Sequence, residues 1–335
     1  MLFCNMCLQT FILIFCNEKL GGKSMQNQYL PEGLLIGTAQ NQEYISSQTG
    51  LERAMQQGKI LEAPAAMCDS ELNLYVDLGG IRGIMPREEV AMCRPGEEIK
   101  QIAVITRVSK PVCFKVVSIT EEHGIPVAVL SRRLAQIECK NAFLNDLICG
   151  DIIRSKITHL ENFGAFVDIG CGIISLLTVD CISVSRISHP SDRFSVGEYI
   201  PVVIRSIDSE TDRIFVSHRE LLGTWEENAA EFAPMQTVSG IVRSIEDYGI
   251  FIELAPNLAG LAEYKSGVHI GDVASVYIKS IIPARMKVKL VLIDSSASVC
   301  CPIKRKYYIN TDEIRHIDHW LYSPPGCSKV IETVF

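Results

Sequence analysis

The sequence has no excess of positive charge. Its formal net charge is -7, so it does not coat a polyanion by charge alone, and any nucleic-acid affinity must rest on stacking and local basic spots. Catalytic signatures are missing too: there is no G-x-S-x-G, Walker loop, H-E-x-x-H or glycine-rich dinucleotide fingerprint. The acidic pairs Glu88-Glu89 and Glu121-Glu122 fall in expected turns without a partner histidine, and His189 and His218 stand alone. An enzyme and a bound cofactor are therefore not expected. Metal-ligand spacing is also lacking. Of thirteen cysteines only Cys4 and Cys7 form a C-x-x-C, with no second pair to complete a site. Scattered and odd in number, they read as reduced thiols of a cytoplasmic protein.

Secretory and membrane signals are absent in the same way. The apolar run Phe11-Ile12-Leu13-Ile14-Phe15 has no Lys or Arg before it, as a signal peptide requires. It is also too short, and too interrupted by Asn5, Gln9 and Asn17, to span a bilayer. Gly21-Gly22 can be encoded by a purine-rich GGAGG, with Lys23-Ser24 as spacer before Met25. Residues 1–24 thus resemble a translated ribosome-binding site, and Met25 is the expected start.

What is present is ordinary globular composition, 47% hydrophobic and 21% charged over 335 residues, enough for two or three domains. One unit is repeated. Glu161-Asn162-Phe163-Gly164-Ala165-Phe166-Val167-Asp168-Ile169 recurs 85 positions later as Glu246-Asp247-Tyr248-Gly249-Ile250-Phe251-Ile252-Glu253-Leu254. Short β-branched strands are expected before each block, at Ile152–Ile157 and Val238–Val242, and after it. Those after it are Tyr199–Ile207 with Arg213–Ser217, and Val273–Ile282 with Lys287–Leu292. A weaker copy begins at Leu72-Asn73-Leu74-Tyr75-Val76-Asp77-Leu78. Strands at Val112–Ile119 and Pro126–Ser131 and an extra one near Ile99–Val108 are expected to follow. Helices are expected between units, with capping boxes at Thr49–Glu52 and Thr224–Glu227 and a third helix over Arg132–Leu147. Trp225 is expected to pack at a junction.

Five short strands per unit suggest closed barrels, which leave no exposed sheet edge. The fold class expected is all-β: three tandem five-stranded barrels joined by short helices. The expected division is 1–24 leader, 25–57 N-terminal segment with a helix, 58–135, 146–222 and 234–295 barrels, and 298–335 tail of unassigned fold.

F-G-A-F-V and Y-G-I-F-I, the glycine-led fourth strands from Gly197 and Gly271, and the closing D-R-I-F-V-S at Asp212–Ser217 resemble the S1 motif. This is an oligonucleotide-binding (OB-fold) repeat, and the arrangement of three units with a tail looks like a short bacterial version of the small-subunit ribosomal S1 family. The resemblance implies that Phe163 and Phe166, and equally Tyr248 and Phe251, reach an open groove and stack on bases. Strict alternation would put residues three apart on opposite faces, which Gly164 can relieve by a bulge or close approach.

The resemblance also implies a histidine fifteen residues after the first aromatic; here Thr178 and Glu263 stand there, and Glu263 would repel phosphate. The family's acid–base hairpin pair maps to Asp208 and Arg213, while the third unit keeps only Lys287, with Ile282 in the acid's place. Arg205 and Lys279 occupy equivalent fourth-strand positions. In the first unit Leu72 replaces the first aromatic, Pro86 takes the histidine position, Val127 takes the hairpin base, and only Tyr75 remains. That unit reads as a protein-docking barrel. The expected function is binding of single-stranded RNA (mRNA) in translation, with the small ribosomal subunit as partner and no membrane. The alternatives are a protein-interaction scaffold or a ribonuclease accessory subunit. The start site is checked by intact-mass measurement of the native protein: a mature species retaining Leu2–Ser24 would contradict a start at Met25.

Overall fold

The alternating strands fold as expected into three closed five-stranded barrels. The structure is a computed structural model that describes residues 29–93, 96–297 and 304–335. The expected leader, the Met25 start, the Cys4/Cys7 motif and the beginning of the tail lie outside the described residues. Two compact units are present, one running to Leu147 and including Asp168–Ile174, the other comprising Ile148–Val167 and Ser175–Phe335.

In the first unit, two helices precede the barrel, α1 (Ala39–Ile45) and α2 (Gln48–Gln56). The expected Thr49 cap is corrected: Ser47 caps α2, its hydroxyl accepting from the Gly50 amide at 3.1 Å. Ser47 is extended, whereas Thr49 already lies inside the helix. Helix α1, capped by Thr38, was not foreseen. The first barrel comprises β1 (Leu61–Cys68), β2 (Leu74–Asp77), β3 (Arg82–Met85), β4 (Pro111–Glu122) and β5 (Ile125–Ser131), in spatial order β1-β2-β3-β5-β4. Leu74, Val76, Met85, Phe114 and Leu130 fill it. The strand expected near Ile99–Val108 is instead one helical turn, α3 (Gln101–Ile105). Because β1 already pairs with β4, the closed barrel offers no edge for a further strand, and of this segment's core only Val104 is fully buried. Helix α4 (Arg132–Ala142) follows β5 and is shorter than expected, ending in a 3-10 turn at Leu144–Asp146. Its first residue, Arg132, forms a buried ion pair with Glu32, Nε to Oε1 at 2.6 Å.

The second unit holds two barrels of the same order. One has β6 (Ile152–Glu161), β7 (Gly164–Asp168), β8 (Ile174–Thr178), β9 (Tyr199–Asp208) and β10 (Arg213–Ser217). The other has β11 (Thr237–Glu246), β12 (Gly249–Ala255), β13 (Leu258–Ala262), β14 (Val273–Ile282) and β15 (Lys287–Ser296). Between them α5 (Trp225–Ala229) starts at the Thr224/Glu227 capping box, as expected, and Trp225 is buried in the third barrel's core cluster. Arg193, Glu253, Arg243 and Asp192 form an ion network with Arg193 and Glu253 fully buried; Arg243 donates to Glu253 at 2.5 Å and lies 3.0 Å from Asp192. The Asn257 side chain donates to Arg219 O and Gly223 O, both at 2.9 Å, and accepts from Val184 N at 2.9 Å.

The tail, without an assigned fold from sequence, ends in a small antiparallel pair, β16 (His319–Leu321) and β17 (Glu332–Val334). Trp320 and Tyr322 join the third barrel's core, and Tyr322 donates to Asn257 O at 2.6 Å. Tail residue Tyr307 meets His218 of the second barrel, hydroxyl to Nε2 at 3.2 Å.

His218 Nδ1 donates to Ile182 O at 3.1 Å; burial favours the neutral ring, in which Nε2 accepts from the Tyr307 hydroxyl at 3.2 Å. Burial, aided by the charges of Arg305 and Arg193, pushes this imidazole down to about 3. An unfolded histidine titrates near 6.5, so between those values the unfolded chain holds the extra proton, and stability falls as pH drops below about 6.5. Between about pH 6.5 and pH 5 the loss from this group should be about 2 kcal/mol. Urea unfolding of wild type and His218→Gln across that window should show the steeper decline in wild type. Equal slopes would contradict the assignment.

Candidate nucleic-acid interface

Phe163 precedes β7 in the turn Asn162–Phe163, so strand alternation does not apply to it. Within β7, Ala165 and Val167 are fully buried and Phe166 points outward, half-buried. The two rings meet edge to face on the outside of the barrel, centroids 5.9 Å apart at 88°, with Phe163 54% exposed. Gly164 makes this possible by close approach. A Cβ there would lie 2.4 Å from Leu177 O of β8. The third barrel repeats the arrangement: Tyr248 and Phe251 meet at 6.1 Å and 89°, and a Cβ on Gly249 would lie 2.4 Å from Ala262 O.

Strand register extends each pair into a row across the outer face. In the third barrel the row runs Ser244, Phe251, Leu261, Lys289, Ser280. In the second, Leu176, Phe215 and Ser206 are successive neighbours. Phe166 precedes them, and the His159 ring stacks on Phe166 at 6.3 Å and 22°. The first barrel, within its own unit, has Met67, Tyr75, Ile84, Val129 and Ser118. A bulge recurs on the fourth strand of each, beside Val116, Ile204 and Ile278. An unpaired residue at a bulge is re-aimed, and here it turns Val117, Arg205 and Lys279 outward.

Thr178 ends β8, and Val179 N donates to Phe163 O at 3.0 Å, tying that end to the first aromatic. Thr178 and Arg205 are linked through Asp180, which sequence reasoning missed: Arg205 lies 3.4 Å from its carboxylate. Partial burial opposes ionisation of Asp180. Hydrogen bonds from Thr178 and Cys181, with the charge of Arg205, still hold it below the usual carboxylate range. Asp208 faces Arg213 across the β9–β10 ladder. Its carboxylate, however, accepts from Glu210 N at 3.0 Å, Thr211 N at 3.1 Å and the Thr211 hydroxyl. Those bonds, the hydroxyl's first, keep Asp208 below its ordinary value. Asp208 is thus a turn clamp, and Arg213 is exposed on the strand that also carries Phe215.

In the third barrel Lys287 and Lys289 share the outer face of β15, Lys279 is exposed, and Glu263 is exposed just beyond β13. Leu72 of the first barrel does not replace Phe163 on the surface; it is in a left-handed conformation and buried. Sequence reasoning also missed His159, Phe215 and Lys289. The signal for the last two was the outward phase of the closing strand, two residues past Arg213 and Lys287. Among the described residues no cluster of His, Cys, Asp or Glu could hold a metal ion, and no helix is long and apolar enough to cross a membrane.

Residues 147–219 match the family model for the S1 RNA binding domain. The second barrel is an S1 domain. Over more of its length the chain is similar to small ribosomal subunit protein bS1 of Staphylococcus aureus, 30% identical over 251 residues, covering 73% of this chain and 60% of that one. It is 29% identical over 232 residues to bS1 of Rhizobium meliloti, covering 64% of this chain and 39% of the relative. The chain thus spans 60% and 39% of the length of these two curated relatives. Among solved structures, a multidomain protein with nucleic acid binding domains from Streptococcus pneumoniae aligns with 71% of this chain and 74% of its own, at 14% identity and TM-score 0.23.

The close approach within the S1 domain has a direct check. Gly164→Ala should destabilise the second unit by about 1–3 kcal/mol, since the opposing atom is backbone and cannot give way. The midpoint of urea unfolding measures this; an unchanged midpoint would mean the strands are not in contact there.

Proposed function

We propose that the chain binds single-stranded RNA during translation, through the outer faces of the second and third barrels, without catalysing a reaction. The observation that carries this is the exposed edge-to-face aromatic pair at the rim of the S1 domain, repeated with the same geometry in the next barrel. Every base has a π-face, so such platforms bind single strands with little sequence preference. Arg213, Lys279, Lys287 and Lys289 are exposed around them and suited to phosphate, and Thr178 and Arg205 frame the second barrel's edge. The acidic balance of the whole chain fits a mode that leans on stacking.

The first barrel supports a different role. Its row of Met67, Tyr75, Ile84 and Val129 carries one aromatic and no base, with Met67 54% exposed. We propose that it docks protein, and that the partner is the small ribosomal subunit, in keeping with the relatives' names and with a cytoplasmic location. A protein-interaction scaffold would share such a face but would not need the aromatic pairs, and a ribonuclease accessory subunit would co-purify with a ribonuclease rather than with ribosomal subunits.

Filter binding with a single-stranded RNA tests this reading. Replacing Phe163 and Phe166 together by Ala should cost about 2–4 kcal/mol. The Tyr248 and Phe251 double change should cost less, because Glu263 already opposes phosphate there. The slope of log affinity against log salt should be roughly -1 to -3, at about -0.7 per phosphate contact. Folded Phe163/Phe166 variants that bind like wild type, or a slope steeper than about -5, would refute it.

A further inference from the structure

The fourth place in each outer row is held by a different chemistry in each barrel: Val129, Phe215 and Lys289. We infer that this one position sets what the second and third barrels each contact on RNA, with Phe215 a third base-stacking platform and Lys289 a phosphate contact. The inference deepens the RNA-binding reading and rests on it.

Phe215 is half-buried, as Phe166 is, and on the same outer face. It pairs with Leu176 of β8, the strand next to β7. Two strand spacings therefore separate the rings, about 10 Å, with the half-buried Leu176 as an apolar floor between them. A base lying on Phe215 would have Arg213 two residues away on the same face of β10, where a guanidinium can meet the adjoining phosphate. The second barrel would then hold three bases, on Phe163, Phe166 and Phe215.

In the third barrel, Lys289 pairs with Leu261 and sits two residues from Lys287 on the same face of β15. Two ammonium groups replace a ring and a guanidinium. An ammonium is a strongly hydrated point charge suited to phosphate and poorly suited to stacking. The two barrels should consequently differ in salt response, the second bound mainly by stacking and the third more by charge.

The rival account of Phe215 is that it only covers Leu176. Leucine in its place retains apolar cover and lacks a π-face, whereas tyrosine retains the ring. Fluorescence anisotropy of the full chain with a single-stranded oligo(U), across a potassium chloride series, separates these. Phe215→Leu should weaken binding about tenfold at every salt concentration with the salt slope unchanged, from the loss of one stack, and Phe215→Tyr should bind like wild type. Lys289→Gln should weaken binding most at low salt and make the slope shallower by about 0.7. Wild-type affinity for Phe215→Leu, or an unchanged slope for Lys289→Gln, would overturn the inference. If those variants are silent while the Phe163/Phe166 double variant loses binding, only the inference fails; if all are silent, the RNA-binding reading fails. Should Phe215→Leu not fold, Lys289→Phe provides the converse: it should make the slope shallower and restore affinity relative to Lys289→Gln. Failure to do either would count against the position's role.

Discussion

Two places of backbone contact govern the outer faces of the second and third barrels. The strand after the first hairpin passes so close to its neighbour that any Cβ at Gly164 or Gly249 would strike a carbonyl oxygen at 2.4 Å. Because only glycine fits, the chain can turn immediately before the strand begins. The residue ahead of the glycine escapes strand alternation, and two aromatics three apart end on one face instead of two. The edge-to-face pairs follow from that, as does the tie between Val179 N and Phe163 O that brings Thr178 to the same rim.

The first barrel shows the consequence of losing the glycine. Asn73 stands where Gly164 does, and the Asp69 carboxylate gathers the turn by accepting from Glu71 N at 3.0 Å and Asn73 N at 2.8 Å. Leu72 is then turned inward and buried. One strand framework therefore supports distinct surfaces. The buried sets are much alike across the barrels, while the outer rows diverge in aromatic content and charge. Inside the second unit, the buried Arg193–Glu253 pair and the Asn257 bridge hold the second and third barrels to one another, and Tyr322 ties the tail to the third. Breaking a buried pair leaves an uncompensated charge, which costs far more than an exposed pair gains. The geometry between the aromatic platforms is thereby restrained without any change to the platforms.

Much of this was legible in the residues. The 85-residue recurrence and the period-2 strands specified the barrels, and the Thr224/Glu227 capping box located α5. Other features depended on partners that a local pattern does not contain. Ile99–Val108 carries β-branched residues suited to a strand, yet barrel closure left it no edge. The α2 cap moved from Thr49 to Ser47 because backbone conformation, not residue type, decides which hydroxyl faces the free amides. Asp208 and Arg213 read as a pair from spacing and face each other across the ladder, but the Thr211 hydroxyl and the turn amides, which the spacing did not show, hold the carboxylate as well. Phe215 and Lys289 were visible as letters of the closing strand; their neighbours across parallel strands were not. Trp320 and Tyr322 stand in a polar tail, and only the folded chain brings them into the third barrel's core.

The central claim, that the outer aromatic faces of the second and third barrels contact the bases of single-stranded RNA, is tested most directly by photocrosslinking. The wild-type chain would be bound to a 4-thiouridine-substituted single strand, irradiated, and its adducts mapped by mass spectrometry. The account predicts adducts concentrated at Phe163, Phe166 and Phe215, with weaker ones at Tyr248 and Phe251. Adducts confined to the first barrel or the tail would contradict it.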